Sequence, residues 1–175
     1  VKRLILFMLK KVLIIITRGE IGGAQMVALS LAKELTLKGV QVIVGVGENT
    51  FLTNELQKNN ISAVAFKHLK RTFNPFSLLA AFFEFKKYLD KNNFDAIQLN
   101  SSNALLAALA GKLAKNKPKI IFTFHGLSYL DPGSDKNWLV KVLFYFAFKI
   151  LLLFVDKQVF VSQTNFDQAK KIRLT

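Results

Sequence analysis

The chain has 175 residues, of which 51% are hydrophobic and three are proline, so it can form one domain with a sizeable core and is not disordered. It contains no cysteine, which excludes disulfides, thiolate catalysis and thiolate-bound zinc, and its two histidines are too few for a dedicated metal cage. The formal net charge of +14 predicts attraction to polyanions such as nucleotide phosphates, nucleic acid or an anionic membrane.

Short β-branched runs alternate with segments of helical periodicity along the chain. Strands are predicted at 11–17, 40–47, 62–69, 95–100, 119–126 and 157–162. Helices are predicted at 23–39, 51–60, 74–92, 102–116, 138–155 and from 163 onwards. This alternation predicts a single α/β domain with a doubly wound parallel sheet of Rossmann-like type, formed by residues 11–175, with residues 1–10 as an N-terminal extension or the start of the first strand.

The segment "WLVKVLFYFAFKILLLFV" (138–155) is almost long enough to span a bilayer. It contains Lys141 and Lys149, each of which would cost about 2.5–3.5 kcal/mol near the bilayer centre. Because a predicted strand follows at once, we favour a helix packed on the sheet, with an aromatic face available to lipid.

Ligands of such sheets bind beyond the carboxyl ends of the strands, which selects a few connecting loops. The loop after the first strand, "TRGEIGGAQ", carries Gly19, Gly22 and Gly23, and a helix beginning near Gly23 would direct free N–H groups at an anion. The spacing does not match the G-x-G-x-x-G dinucleotide pattern, and no G-K-[ST] follows. The turn is therefore either a phosphate cradle or only a tight corner.

Two other loops at this edge carry polar groups. His125 ends the strand "IIFTF" and is followed by Gly126, so its ring is expected either over the crevice or in an ordinary hydrogen bond at the strand end. The cluster "KHLKR" presents Lys67, Lys70 and Arg71 to a phosphate or an anionic membrane, or else is a solvated loop that also contains His68. No Arg-rich stretch is present, so sequence-specific nucleic-acid binding is not expected.

Four segments together resemble a known family. They are "KVLIIITRGEIGGAQMVALSLAKEL", "FDAIQLNSSNALLAALAGKLA", "KIIFTFHG" and "DKQVFVSQTNFDQ". In this order and at these separations they resemble the N-terminal, acceptor-side domain of GT-B glycosyltransferases of the family 4 type, from about Lys11 to the C terminus.

The resemblance implies one half of a GT-B fold, in which two Rossmann-like domains face each other across the active-site cleft. Gly22, Gly23 and Gln25 are the donor-binding residues that it implies, because they match the turn that approaches the diphosphate and sugar of a nucleotide-sugar donor. His125 is the implied catalytic residue, because it matches a histidine that contacts the donor sugar near the reacting centre.

Enzymes of this type usually retain the anomeric configuration and need no metal, so the resemblance implies no cofactor besides the nucleotide-sugar co-substrate. It implies transfer to a glycan or lipid-linked acceptor, as in the synthesis of cell-surface polysaccharide or glycolipid. It also implies a cytoplasmic protein that lies peripherally on the inner face of an anionic membrane. Lys67, Lys70 and Arg71 are the expected acceptor-binding or membrane-binding residues.

The sequence departs from the family pattern in two places. Its 175 residues include no second domain with a donor-binding acidic motif, and Asn100 to Ser102 stand where members often have a histidine. We therefore expect little or no transferase activity without a C-terminal donor-binding domain or a partner chain. One alternative is a non-catalytic α/β module that binds an anionic membrane or a partner protein; a second is general nucleic-acid binding, which predicts strong salt dependence.

Overall fold

The structure is a computed structural model that describes residues 9–48, 51–70, 74–127, 130 and 137–175. Its strands are β1 (Lys11–Ile16), β2 (Gln41–Val46), β3 (Ser62–Ala65), β4 (Ala96–Leu99), β5 (Lys119–Phe124) and β6 (Lys157–Phe160). Within the described residues they form one six-stranded sheet, entirely parallel, in the order β3-β2-β1-β4-β5-β6. The predicted doubly wound parallel sheet is confirmed.

Helices cover both faces of the sheet. They are α1 (Gly23–Leu37), α2 (Phe51–Lys58), α3 (Pro75–Lys91), α4 (Leu106–Lys112), α5 (Trp138–Leu152) and α6 (Gln163–Lys171), with a 3₁₀ turn at Asn103–Leu105. Buried residues of α1 and α2 belong to one core cluster. Buried residues of α3, α4, α5 and α6 belong to the other. The chain runs outward from β1 to β3 and then returns to build β4 to β6 on the other side of β1, so crossovers of the usual right hand place the two sets of helices on opposite faces.

The first strand shows why its residues are apolar without alternation. Val12, Ile14 and Ile16 point into the core beneath α1 and α2. Leu13 and Ile15 point to the opposite core, beneath the remaining helices. A central parallel strand is buried on both faces, so each position of "VLIII" takes a β-branched residue or leucine.

Among the helix starts that the structure describes, three have a side-chain cap. Asn74 Oδ1 accepts from the Phe76 N–H at 3.0 Å, ahead of α3. Asn137 Oδ1 accepts from the Val140 N–H at 2.9 Å, ahead of α5, and Ser162 Oγ accepts from the Asn165 N–H at 3.1 Å, ahead of α6. These bonds satisfy N–H groups that the first helical turn leaves free.

Most elements end a few residues short of the predicted bounds, and two differ more. β3 was expected to reach residue 69 but ends at Ala65: the Phe66 N–H still donates to the Val46 carbonyl at 2.8 Å, and the Glu84 carboxylate then accepts from the Lys67 N–H at 2.8 Å and the His68 N–H at 2.9 Å. The helix predicted at 102–116 begins as the 3₁₀ turn and becomes α-helical only from Leu106 to Lys112.

The helix predicted at 138–155 packs on the sheet through Phe144, Phe148 and Leu152, which confirms the interpretation as a packed helix. In the described ranges, the helices are all too short or too polar to cross a membrane.

Candidate functional site

A cavity of about 390 Å³ opens at the carboxyl edge of the sheet, beyond β1, β4 and β5. Three chain segments and the first turn of α1 form its wall, because parallel strands all end at this edge. The described residues that line it are Ile16, Thr17, Arg18, Ala24, Gln25, Asn100, Ser101, Ser102, Asn103, Phe122, Thr123, His125 and Gly126. This wall presents hydroxyls, amides and an imidazole, and among these residues Arg18 is the one charged side chain.

Hydrogen bonds hold the ends of β1 and β4 together at the floor of the cavity. The Thr17 and Ser101 hydroxyls lie 2.7 Å apart, and the Thr17 N–H donates to Ser101 Oγ at 3.2 Å. The Asn100 N–H donates to the Ile15 carbonyl at 2.9 Å. These contacts fix the direction in which Asn100 and Ser101 leave the sheet, so the polar groups above them start from a rigid base.

His125 contacts Asn100 across the strand ends. Nε2 of the ring and Oδ1 of Asn100 are 3.1 Å apart. Since a carbonyl oxygen only accepts, Nε2 carries the proton and Nδ1 is left as an acceptor in the neutral ring. Burial lowers the pKa of His125 below its ordinary value, so the neutral ring is the form present at pH 7.

Asn100 is itself 3% exposed, and its Nδ2 has no hydrogen-bond partner in the described residues. A buried amide donor without a partner costs about 1–3 kcal/mol, so its presence in the cavity wall calls for a functional explanation.

The loop from Arg18 to Gly22 is folded onto α1 by a glutamine. Gln25 Nε2 donates to the Arg18 carbonyl at 2.9 Å. Gly22 precedes the helix without any side-chain cap, and the first turn contains no acidic residue. The N–H groups of the first turn and the positive end of the helix dipole are therefore available to an anion, unlike those of the three capped helices.

The two glycines of this turn have different surroundings. A Cβ on Gly22 would lie 2.8 Å from Gln25 Oε1, so Gly22 leaves room for the glutamine that closes the loop. A Cβ on Gly23 would meet nothing within 4 Å, so open space lies beside its Cα. The first glycine is thus explained by packing, whereas packing gives no reason for the second.

The structure brings together some of the predicted site residues and leaves others apart. Gln25 and His125 line the same cavity, and Gly22 and Gly23 precede its Ala24 wall. Lys67 and Lys70 are exposed beyond β3, at the far end of the strand order, and do not line it. Arg71 lies outside the described residues.

His68 lies in an exposed loop, with its side chain 42% exposed, and it also contacts a carboxylate. Its Nδ1 lies 3.3 Å from Glu84 Oε2, and its own N–H donates to the same carboxylate oxygen. Within the described part of the chain, no group of three or more His, Asp or Glu residues is arranged to hold a metal ion.

Thr17, Ser101 and Asn100 line the cavity, although no motif in the sequence around them predicts a role there. The available signal was their place directly after a buried strand at the carboxyl edge. The contact itself could not be predicted from the sequence, because it depends on the pairing of β4 with β5, which places Asn100 beside His125.

Comparison with known proteins agrees with this geometry. The model of the family described as Glycosyltransferase Family 4 matches residues 21–174. The chain belongs to glycosyltransferase family 4. Its fold is shared with the crystal structure of Anabaena HepE in complex with UDP and glucose, at a TM-score of 0.71 and 18% identity over 93% of this chain and 41% of that one.

Two further similarities are informative. Sucrose-phosphate synthase from Thermosynechococcus elongatus has a TM-score of 0.66 and 14% identity, over 93% of this chain and 45% of that one. A Campylobacter jejuni protein, N,N'-diacetylbacillosaminyl-diphospho-undecaprenol alpha-1,3-N-acetylgalactosaminyltransferase, is 26% identical over 151 residues, covering 83% of this chain and 39% of that protein. The chain thus spans about two fifths of the length of the relatives it matches.

Proposed function

We propose that residues 11–175 are the acceptor-side domain of a glycosyltransferase that moves a sugar from a nucleotide-sugar donor to a glycan or lipid-linked acceptor. The observation that carries the proposal is the cavity into which His125 and the first turn of α1 both open. Family membership supplies the reaction class, and the cavity supplies groups suited to its reactants.

The uncapped start of α1 suits the diphosphate of the donor. The first-turn N–H groups can donate to phosphate oxygens, and the open space beside Gly23 lets them approach without a side chain in the way. Arg18 lies on the same wall. HepE, with which this chain shares its fold, has been crystallised with UDP and glucose, and this supports a uridine nucleotide as the first donor to test.

The remaining wall suits a sugar. Thr17, Ser101 and Ser102 carry hydroxyls that can donate and accept hydrogen bonds. The neutral ring of His125 can accept a hydrogen bond from a sugar hydroxyl at Nδ1. A neutral ring orients a hydroxyl without placing a full positive charge beside the anomeric carbon. We propose a retaining, metal-free transfer, in which a second domain or partner chain grips most of the nucleotide.

The binding half of the proposal is tested with the ¹⁵N-labelled chain. UDP-glucose, UDP and glucose are each titrated while amide and histidine ring resonances are recorded. We expect the nucleotides to shift the Gly23, Ala24 and Gln25 amides, and the sugar-bearing ligand to shift His125 as well. His125→Gln should weaken UDP-glucose binding, whereas the matched variant His68→Gln, outside the cavity, should not. Equal effects of the two substitutions would contradict the site.

The catalytic half predicts that the purified chain transfers no measurable sugar from a panel of UDP-sugars to lipid extract. Robust transfer by these 175 residues alone would overturn the claim that a donor-binding half is required.

A second proposal concerns membrane docking, at the inner face of an anionic membrane. The outer face of α5 consists of Trp138, Leu139, Val142, Leu143, Phe146 and Ile150, and each is 38–74% exposed. An exposed aromatic and aliphatic stripe of this kind suits the interfacial region of a bilayer. The C. jejuni relative is named for a diphospho-undecaprenol acceptor, which supports a substrate held in a membrane. The net charge of +14 favours anionic lipid.

Trp138 is the single tryptophan of the chain, so its fluorescence reports directly on this face. We expect a blue shift with phosphatidylglycerol vesicles and co-sedimentation that Leu143→Ser with Phe146→Ser abolishes. Leu37→Ser with Leu113→Ser is the matched control, because these exposed apolar residues lie at the C-terminal ends of α1 and α4 and not on α5. Replacing Lys67, Lys70 and Arg71 by alanine should remove the part of binding that depends on lipid charge. Unaltered fluorescence with vesicles would refute docking through α5.

A further inference from the structure

We propose that the Asn100 carboxamide positions His125 and completes the sugar-binding wall: Oδ1 holds the ring with Nε2 protonated, and Nδ2 donates to an oxygen of the bound sugar. This inference deepens the proposed function and rests on it for the ligand. It goes beyond it in assigning a defined pair of hydrogen bonds to Asn100.

The first half rests on the contact between the two residues. Nε2 of His125 and Oδ1 of Asn100 are 3.1 Å apart. Asn100 is anchored at the end of β4 by its N–H bond to the Ile15 carbonyl, and it is almost completely buried. Such a residue cannot follow a moving imidazole, so it selects one tautomer and one ring orientation. Nδ1 is then the acceptor that the ring offers to a ligand.

The second half rests on the other end of the same amide. Nδ2 has no partner among the described residues, although Asn100 lines the cavity. Turning the amide by 180° would instead make Nδ2 the donor to an unprotonated Nε2 and leave Oδ1 as the unpartnered end, so the tautomer of His125 reports which orientation is present. A hydroxyl or ring oxygen of a sugar can satisfy this donor, and a buried, preorganised donor contributes to selectivity for such a group.

Charged neighbours of the ring are few. Of the described residues that line the cavity, Arg18 is the only one with a charge, and its guanidinium lies 3.7 Å from Glu20 in an exposed pair. A carboxylate introduced at position 100 would therefore act on His125 directly and at hydrogen-bond distance.

The positioning half is tested by histidine ring NMR on the folded chain, which has only two histidines to assign. Asn100→Asp keeps an acceptor for Nε2–H and adds a negative charge, so it should preserve the tautomer and raise the His125 pKa. Asn100→Leu removes the acceptor at similar volume, so it should mix the tautomers and lower the pKa further. The tautomer is the deciding readout, because an added carboxylate raises the pKa of a neighbouring imidazole even where the native residue only packs against it, whereas a packing role alone would not fix one tautomer.

The donor half is tested by UDP-glucose titration of the same variants. We expect Asn100→Leu to weaken binding about 3- to 10-fold, the effect of one neutral hydrogen bond. Asn54→Asp, exposed on α2, controls for the added charge in Asn100→Asp. If UDP-glucose binds the wild type and Asn100→Leu equally, the donor role is overturned while the proposed function stands.

If the wild type binds no nucleotide or sugar, both the donor role and the proposed function fail, and the tautomer measurement alone judges the positioning role. If both variants leave the tautomer and the pKa unchanged, that role is overturned. Should Asn100→Leu fail to fold, Asn100→Asp still tests the positioning role, because loss of the Nε2-protonated tautomer in a variant that keeps the acceptor would overturn it.

Discussion

Gly22, Gly23 and Gly47 lie at the carboxyl edge of the sheet. Replacing each of them by alanine distinguishes a glycine needed for packing, which lowers stability when replaced, from one needed for ligand binding. In Gly47→Ala the new Cβ would lie 1.9 Å from the Leu69 carbonyl oxygen and 2.6 Å from the Thr17 carbonyl oxygen. Ordinary contact begins near 3.4 Å, so backbone must move by about 1.5 Å before the methyl group fits. Neither neighbour is a side chain that could turn aside.

The cost follows from these contacts. Overpacking of this kind costs about 1–3 kcal/mol. The movement would also break the Gly47 N–H bond to the Thr17 carbonyl, now 3.1 Å long, which adds about 1 kcal/mol. We expect the free energy of unfolding to fall by about 3 kcal/mol, and the Tm by about 6–12 °C for a chain of this size.

The same change at the start of α1 should behave differently. Gly23→Ala places its methyl group in open space at the first helical position, so stability should stay unchanged or rise by up to about 1 kcal/mol. Gly22→Ala only displaces the end of the Gln25 side chain and its bond to the Arg18 carbonyl, at a cost of about 1 kcal/mol or less. On the proposed function, Gly23→Ala nevertheless weakens nucleotide binding.

The assay is thermal and urea unfolding by circular dichroism for the three variants, followed by UDP-glucose titration of those that fold. A Gly47→Ala protein that unfolds within about 1 °C of the wild type would refute the packing argument. If Gly23→Ala were as unstable as Gly47→Ala, packing would account for Gly23 as well, and the turn before α1 would be explained as a tight corner without a ligand.

Three other predictions concern stability. In Gly45→Ala the Cβ would lie 2.4 Å from Phe66 Cε2, and that ring packs against Phe85 and Tyr88, so thermal unfolding should show a loss of about 1–3 kcal/mol. Burial lowers the pKa of His125 in the folded state, so the stability that the neutral ring contributes is present above about pH 6.5 and is lost as the pH falls below it. The free energy of unfolding of the wild type, measured relative to His125→Gln, should therefore fall between pH 7.5 and 5.5. A difference that stays constant over this range would contradict the prediction. Burial opposes the ionisation of Asp156, but hydrogen bonds from Lys112 Nζ and the Ile120 N–H outweigh burial and lower its pKa. Asp156→Asn should therefore lower the free energy of unfolding by up to about 1 kcal/mol at pH 7. The loss, measured by urea titration, should become smaller as the pH falls towards 3.

Most of the fold could be predicted because local pattern and tertiary burial agree. The run "VLIII" is apolar at every position, and a strand buried on both faces requires that. The end of β3 could not be predicted, because Phe66 and Leu69, which follow it, are as apolar as strand residues and are buried. Glu84, on a helix that comes later in the chain, accepts from the Lys67 and His68 amides and so turns the chain away from the strand direction.

The site was predictable only in part, for a similar reason. Position at the carboxyl edge identified the turn before α1 and His125. The role of Asn100 depends on His125, which lies 25 residues later and reaches it only through the pairing of β4 with β5. An asparagine after a strand has no distinctive local signal, and its unpartnered amide becomes visible only in three dimensions.

We propose that catalysis requires a second half, and the chemistry of the cavity supports this proposal. Transfer from a nucleotide sugar releases a diphosphate, and the developing negative charge must be stabilised by cations or by several aligned donors. The described wall offers the start of α1 and one exposed arginine, already paired with Glu20, against a larger set of hydroxyls and amides. Such groups orient sugars well but leave most of the departing charge without compensation. We therefore expect a C-terminal domain or partner that brings cationic groups to face α1, and we expect its addition to restore transfer while Gly23→Ala in this chain lowers it again.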